Sequence, residues 1–255
     1  MFHPEADWWI DHHQTAFIDP DWENNFKNDN QHHYDPEFGS CAGLLLKFLR
    51  THHSYHAPKF IEKVAEVGHK VDTVGYKNVD EALDFTSIEW KLRLLLKRNK
   101  EGDNSYILIT QKAIETLATI GIDDFVNLPE YHEYLDQFKN YGENLVAVYA
   151  EHSIIKGKVS FIDRSNFTGE QNHFAAYKIH PTALYEVCIL HRGNSFGIHA
   201  GKNPWKDKNT NFHLGNLMKK YGGGGHRDVG GCVAKTHKEA TEIATKIIDE
   251  INEND

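Results

Sequence analysis

Four consecutive glycines, Gly222 to Gly225, followed by His226-Arg227 and then by Gly230-Gly231, set the tightest limit on how this chain can fold. Such a run costs too much backbone entropy to serve only as a helix cap, because glycine loses more backbone freedom on ordering than any other residue. A helix stop explains one of them: residues 211–221 are expected to be helical, and Gly222 suits the left-handed position that follows. The others need a different reason. Glycines let backbone N–H groups approach an anion closely, and His226 and Arg227 add charge-assisted contacts, so the segment is expected to hold a phosphate. Gly201-Lys202-Asn203-Pro204-Trp205 follows an expected strand and adds a cation at Lys202 and an amide at Asn203. Trp205 either stacks on a base or packs inside.

The other informative string lies near the amino end. Trp8-Trp9-Ile10 reads as the end of a short buried strand that presents Asp11-His12-His13 at its carboxyl edge. A neutral imidazole binds a divalent ion well, and an adjacent carboxylate can fix its tautomer or join the coordination shell. The second histidine, pointing elsewhere, can contact a phosphoryl group or protonate a leaving oxygen. Asp72, in the loop expected after a helix ending near Gly68-His69, is a second carboxylate. The pairs His32-His33 and His52-His53, and His56, are expected to be surface histidines.

The net charge of -9 argues against a broad basic surface for long nucleic acid. Charge is also unevenly placed: residues 1–40 balance to -8 and residues 200–235 to +5. An acidic end suits metal, and a basic, glycine-rich end suits phosphate. The three cysteines, Cys41, Cys188 and Cys232, lie far apart without metal-ligand spacing, which fits a reducing cytoplasm. No apolar stretch is long enough for a membrane span, and the first residues lack the features of a signal peptide.

At 255 residues the chain is expected to hold two α/β domains. Ser40 is positioned to cap a helix to about His53, Pro58 to open the next, and Thr86 with Glu89 to form a capping box. Residues 18–38 read as loop. Further helices are expected over 103–120 and from Pro129 to about Tyr141. Beyond Gly142 the pattern turns to strands: 145–149, 159–162, 185–191, 195–200 and 229–234, with a last helix over 237–252. The expected division is 1–125, a connecting helix over 126–143, and 144–255.

Taken together, these strings resemble the DHH phosphoesterase superfamily with its appended carboxy-terminal domain. The matching pieces are Ala6-Asp7-Trp8-Trp9-Ile10-Asp11-His12-His13, Phe38-Gly39-Ser40-Cys41-Ala42, Val71-Asp72-Thr73, and Gly222–His226 with Gly230-Gly231, in the family's order. The resemblance implies a parallel-sheet metal domain followed by a smaller mixed α/β domain. It also implies a manganese pair (or magnesium) activating water against phosphorus. His12 and Asp72 would be metal ligands, Asp11 a ligand or its support, and His13 would face the phosphoryl group. Gly222, Gly223, Gly224, Gly225, His226 and Arg227 would grip the substrate's far phosphate, with the active site in the cleft between domains. The family also carries an earlier His/Asp-rich strand and a further Asp ahead of Asp-His-His. Ten residues precede Asp11, and His3 and Asp7 do not reproduce that motif, so the metal domain is expected to be incomplete at its amino end.

The expected partner is a short oligonucleotide or nucleotide, with no membrane involved and assembly as a homo-oligomer left open. Two alternatives remain at this stage. One is a non-catalytic module that holds a phosphorylated ligand in the carboxy-terminal domain. The other is an interaction protein whose histidine clusters bind zinc structurally.

Overall fold

The computed structural model describes residues 1–13, 16–98, 105–167, 172–206 and 212–254, and the side chains of all of these except 97–98 and 105–110. Positions 103–104 and 211, at the starts of two expected helices, lie outside that range. In chain order the elements are β1 (Trp9–Asp11), α1 (Pro20–Asn25), β2 (His32–Tyr34), α2 (Cys41–His53), α3 (Lys59–Asp72), α4 (Val79–Ala82), α5 (Ile88–Arg98) and α6 (Ser105–Ile120). Next come α7 (Ile122–Phe125), α8 (Pro129–Asp136), α9 (Tyr141–His152), β3 (Ile154–Lys156), β4 (Val159–Arg164), α10 (Ala175–Ile179) and β5 (Tyr185–Arg192). The chain ends with β6 (Ser195–Lys202), α11 (Leu214–Lys219), β7 (Gly224–Gly225), β8 (Val229–Ala234) and α12 (His237–Asn254). Two compact units result: Met1–Tyr76 with Phe85–Lys139, and Lys77–Asp84 with Asn140–Asp255. Among the described residues, no helix is long and apolar enough to cross a membrane.

The first unit is helical around a two-stranded parallel sheet, with Trp9 opposite His32 and Asp11 opposite Tyr34. On one side, Trp9 packs among Phe2, Phe17, Phe26 and Tyr34, with ring centroids 5.0 to 6.0 Å from its own. Such clusters add about 0.5–1.5 kcal/mol per pair beyond simple burial. Residues 18–38 are therefore not loop throughout: they hold α1, capped by Asp19, and β2. The histidines there are not simple surface groups either. His32 donates to the Ala6 carbonyl at 2.7 Å, and Nδ1 of His33 is buried without a hydrogen bond.

α2 starts where expected, its Ser40 hydroxyl accepting from the Gly43 amide at 3.1 Å. Replacing Ser40 with Ala is expected to lower stability by about 1 kcal/mol, measured by urea unfolding. α3 runs four residues past the expected end, to Asp72, so Asp72 is a helical residue rather than a loop one. Ser87 stands immediately before α5 and accepts from Trp90 N at 3.4 Å, one residue later than the Thr86 cap expected from the pattern.

The second unit carries a six-stranded mixed sheet in the order β3-β4-β5-β6-β8-β7. α12 buries Ala240, Ala244, Ile247, Ile248 and Ile251 against one face, where Val187, Ile189, Ile198 and Ala200 meet them. That spacing is the apolar stripe of an amphipathic helix. The expected strand at 145–149 is instead part of α9: Gly142, Leu145 and Tyr149 are its buried residues, at helical intervals. A β-branched, aromatic composition suggested a strand there, but burial follows a period near 3.6.

Candidate functional site

β1 delivers Asp11 to its carboxyl end, where one carboxylate oxygen gathers three donors. Asp11 Oδ1 accepts from the His12 amide at 2.7 Å, the His13 amide at 3.1 Å and His13 Nδ1 at 2.6 Å. Burial pushes the Asp11 carboxyl up, but the bonds from His13 and the two amides outweigh it and hold the group below the usual carboxylate range. The turn is thus locked by a group that is ionised at neutral pH.

His12 turns the other way. Its Nδ1 lies 2.9 Å from the Phe38 carbonyl, and a carbonyl only accepts, so Nδ1 carries the hydrogen. The lone pair is left on Nε2, the orientation used by metal-bound imidazoles whose other nitrogen is tied to a carbonyl. His13 keeps about half its side-chain surface exposed.

The Phe38–Ala42 string forms the second wall. Cys41 Sγ lies 3.4 Å from the Ile10 carbonyl, which ties the start of α2 to β1. A side chain at Gly39 would sit 2.5 Å from Thr73 Cγ2 and 3.0 Å from His69 Cε1, so the absence of one lets the end of α3 come this close. Ser40 Oγ lies 2.9 Å from His69 Nδ1. Burial first, and then the charges of Asp11 and Asp72, push the Cys41 thiol up, so both carboxylates lie near enough for their charges to reach it. His69 and Cys41 were not singled out from the sequence as site residues. The His69-x-x-Asp72 spacing was the available signal, because residues three apart share a helix face.

The metal-type donors do not all converge. Among the described residues the trio whose ligand atoms lie within 4.8 Å of one another is Glu186, Cys188 and His199, in the second unit. Asp11, His12 and Asp72 share a corner without closing to that distance.

In the second unit the glycine run proves largely architectural. Gly222, at φ +74°, stops α11: its amide bonds Lys219 O at 3.2 Å, and the Gly223 amide bonds Met218 O at 3.0 Å. This is the paired bonding of a left-handed helix cap. A Cβ at Gly223 would lie 2.1 Å from Gly231 O, and one at Gly225 would lie 2.3 Å from Val229 O. Gly224 and Gly225 pair with Gly231 and Gly230 as β7 and β8, and the His226 amide bonds Val229 O at 2.8 Å. The amides of Gly222, Gly223 and His226 are therefore engaged internally and do not form the expected anion nest. Gly224 alone of the four has both open space at its Cβ position and a φ outside the left-handed region.

The neighbouring residues are also occupied. Lys202 pairs with Asp228 at 3.1 Å. Asn203 is buried, donating to Ala183 O at 2.9 Å and accepting from Trp205 N at 3.1 Å, so it builds a turn and does not face a ligand. Trp205 packs against Phe174 and Tyr177, the interior role of its two readings.

No protein-family model matches the chain, and no curated protein does. Solved structures do. The pGpG-specific phosphodiesterase PggH from Vibrio cholerae superposes with a TM-score of 0.68 at 19% identity, covering 100% of this chain and 82% of its own. An exopolyphosphatase-related protein from Bacteroides fragilis gives a TM-score of 0.54 at 13% identity, covering 96% of this chain and 63% of its own. At these identities the likeness is one of fold, and it extends over the whole chain. The two-unit α/β architecture of this chain is therefore one it shares with a phosphodiesterase and an exopolyphosphatase-related protein.

Proposed function

We propose that this chain is a divalent-metal-dependent phosphoesterase acting on a short nucleotide or oligonucleotide, with manganese, or magnesium in its place, as the ion. The observation that carries the reading is the presentation of His12: a hydrogen bond from Nδ1 to Phe38 O leaves Nε2 as the available donor. One imidazole with the carboxylates of Asp11 and Asp72 is suitable donor chemistry for such an ion, although the three are not drawn together beforehand. When bound, the ion supplies polarised phosphoryl oxygens and a bound water of lowered pKa.

The chain's own residues do the rest. Asp11 holds His13 by Nδ1, so its Nε2 is the atom that takes up a proton or gives one to a leaving oxygen. His226 and Arg227 are assigned to phosphate recognition through their side chains. A groove of about 590 Å³ beside the corner, lined by Phe38, Gly43, Arg50 and His69 among others, gives room for a substrate. The fold shared with a phosphodiesterase named for a dinucleotide supports the choice of substrate class.

The test is hydrolysis by the full chain of pGpG, a short oligoribonucleotide and polyphosphate, each with manganese and with a chelator. Manganese-dependent cleavage of at least one is expected, with loss on chelation. Failure on all three sinks the enzyme reading. Calorimetric binding that survives in that case, and is lost in His226→Ala, would identify a non-catalytic phosphate-binding module.

A further inference from the structure

The face of the six-stranded sheet opposite α12 carries a polar cluster that the phosphoesterase reading does not use. Glu186 and Cys188 lie two apart on β5 and so share a face, and Cys188 pairs across to His199 on β6. Their ligand atoms all lie within 4.8 Å of one another. Glu186 is 0% exposed and Cys188 4%. Glu186 Oε2 is already 3.4 Å from His199 Nδ1, within the roughly 3.3–3.8 Å that separates ligands around a tetrahedral zinc ion.

Three further observations fit an ion at this place. Tyr149 donates to Glu186 Oε1 at 3.1 Å, orienting the carboxylate so that the other oxygen faces His199. Glu186 stands opposite Gly201, and a Cβ there would meet His199 Cε1 at 3.4 Å and His173 Cδ2 at 3.5 Å, so the missing side chain leaves room for both rings. Ser160, beside Glu186 on β4, is 0% exposed with an Oγ that has no hydrogen-bond partner, an unsatisfied polar atom on the same face.

We propose that Glu186, Cys188 and His199 form a zinc site in the carboxy-terminal unit, with His173, its ring centroid 5.1 Å from that of His199, next in line for the fourth position. Thiolate with imidazole and one carboxylate is a donor set that selects zinc, unlike the oxygen-rich set that suits manganese. Cys188 binds as thiolate and its proton passes to solvent; no redox step is involved. The partly exposed edge of His199 gives the ion a way in. The site acts as a staple between β5 and β6 and stands independently of the phosphoesterase chemistry.

The test is titration of the metal-free full chain with cobalt(II) and then zinc(II). One equivalent of cobalt is expected to give tetrahedral visible bands and a thiolate-to-cobalt charge-transfer band, both bleached by zinc. The charge-transfer band is expected to persist in Cys41→Ser and Cys232→Ser and to vanish in Cys188→Ser. If Cys188→Ser does not fold, His199→Gln serves instead, with affinity expected to fall by on the order of a hundredfold. Absence of the band in the native chain, its survival in Cys188→Ser, its loss in Cys41→Ser, or unchanged affinity in His199→Gln would each overturn the assignment.

Discussion

Adding one methyl group at position 223 is expected to unfold the carboxy-terminal unit or destabilise it by about 3 kcal/mol or more. The Cβ of Gly223→Ala would fall 2.1 Å from Gly231 O and 2.6 Å from Cys232 Cβ. A Cβ has no rotamer to turn away with, and its neighbours include backbone, so the cap of α11 or the β7–β8 pairing must part. Gly224→Ala is the internal comparison, since nothing lies within 4 Å of its Cβ position. Thermal or urea unfolding of the two variants gives the measurement. Equal stabilities would show that the run is not packed as described. Any ligand-binding role of the loop is better tested at 224, where the fold is not at stake.

His12→Ala is expected to lower kcat/KM on the cleaved phosphoester by on the order of a hundredfold or more, while leaving the unfolding transition nearly in place. Asp11→Asn keeps the shape but weakens the charge-assisted bond to His13, and is expected to cost roughly 10- to 100-fold. The two variants differ in a second readout. Because the Asp11 carboxyl is held below its ordinary value, its contribution to stability is present above the usual carboxylate range and fades as pH falls through the lowered value. The stability gap between wild type and Asp11→Asn should close in that acidic window. A gap that stays constant down to the lowest pH would mean the three donors to Asp11 Oδ1 are not formed. Full activity in His12→Ala would remove the metal-ligand assignment.

Local chemistry was the legible part of the sequence. Ser40 announced α2, the strand patterns over 185–191 and 195–200 announced β5 and β6, and β8 fell on 229–234 because short signals within a few residues dictate such elements. What escaped depended on distant partners. β2 exists because 32–34 pair with 9–11, and nothing within 18–38 shows that. Likewise Cys188 offers no metal-ligand spacing along the chain. Its proximity to His199 arises from antiparallel register, and to Glu186 from the two-residue repeat of a strand. α9 was misread since valine-rich composition outweighed the wider spacing of its buried residues. The glycine run was overread for chemistry: a helix stop and close backbone contacts account for most of it, and those contacts lie with Gly230 and Gly231, several residues further on.

The margins of the six-stranded sheet have a bearing on solution behaviour. One border is three residues long, Ile154–Lys156, and the other is two glycines, Gly224–Gly225. The central strands β5 and β6, eight residues each and with Val187, Ile189 and Ile198 buried, would be hazardous templates if they lay outermost. A stray extended peptide docking at either border would find only two or three rungs, and at the glycine side no side chains to grip. The placement of its shortest strands outermost thus guards this unit against runaway cross-β stacking.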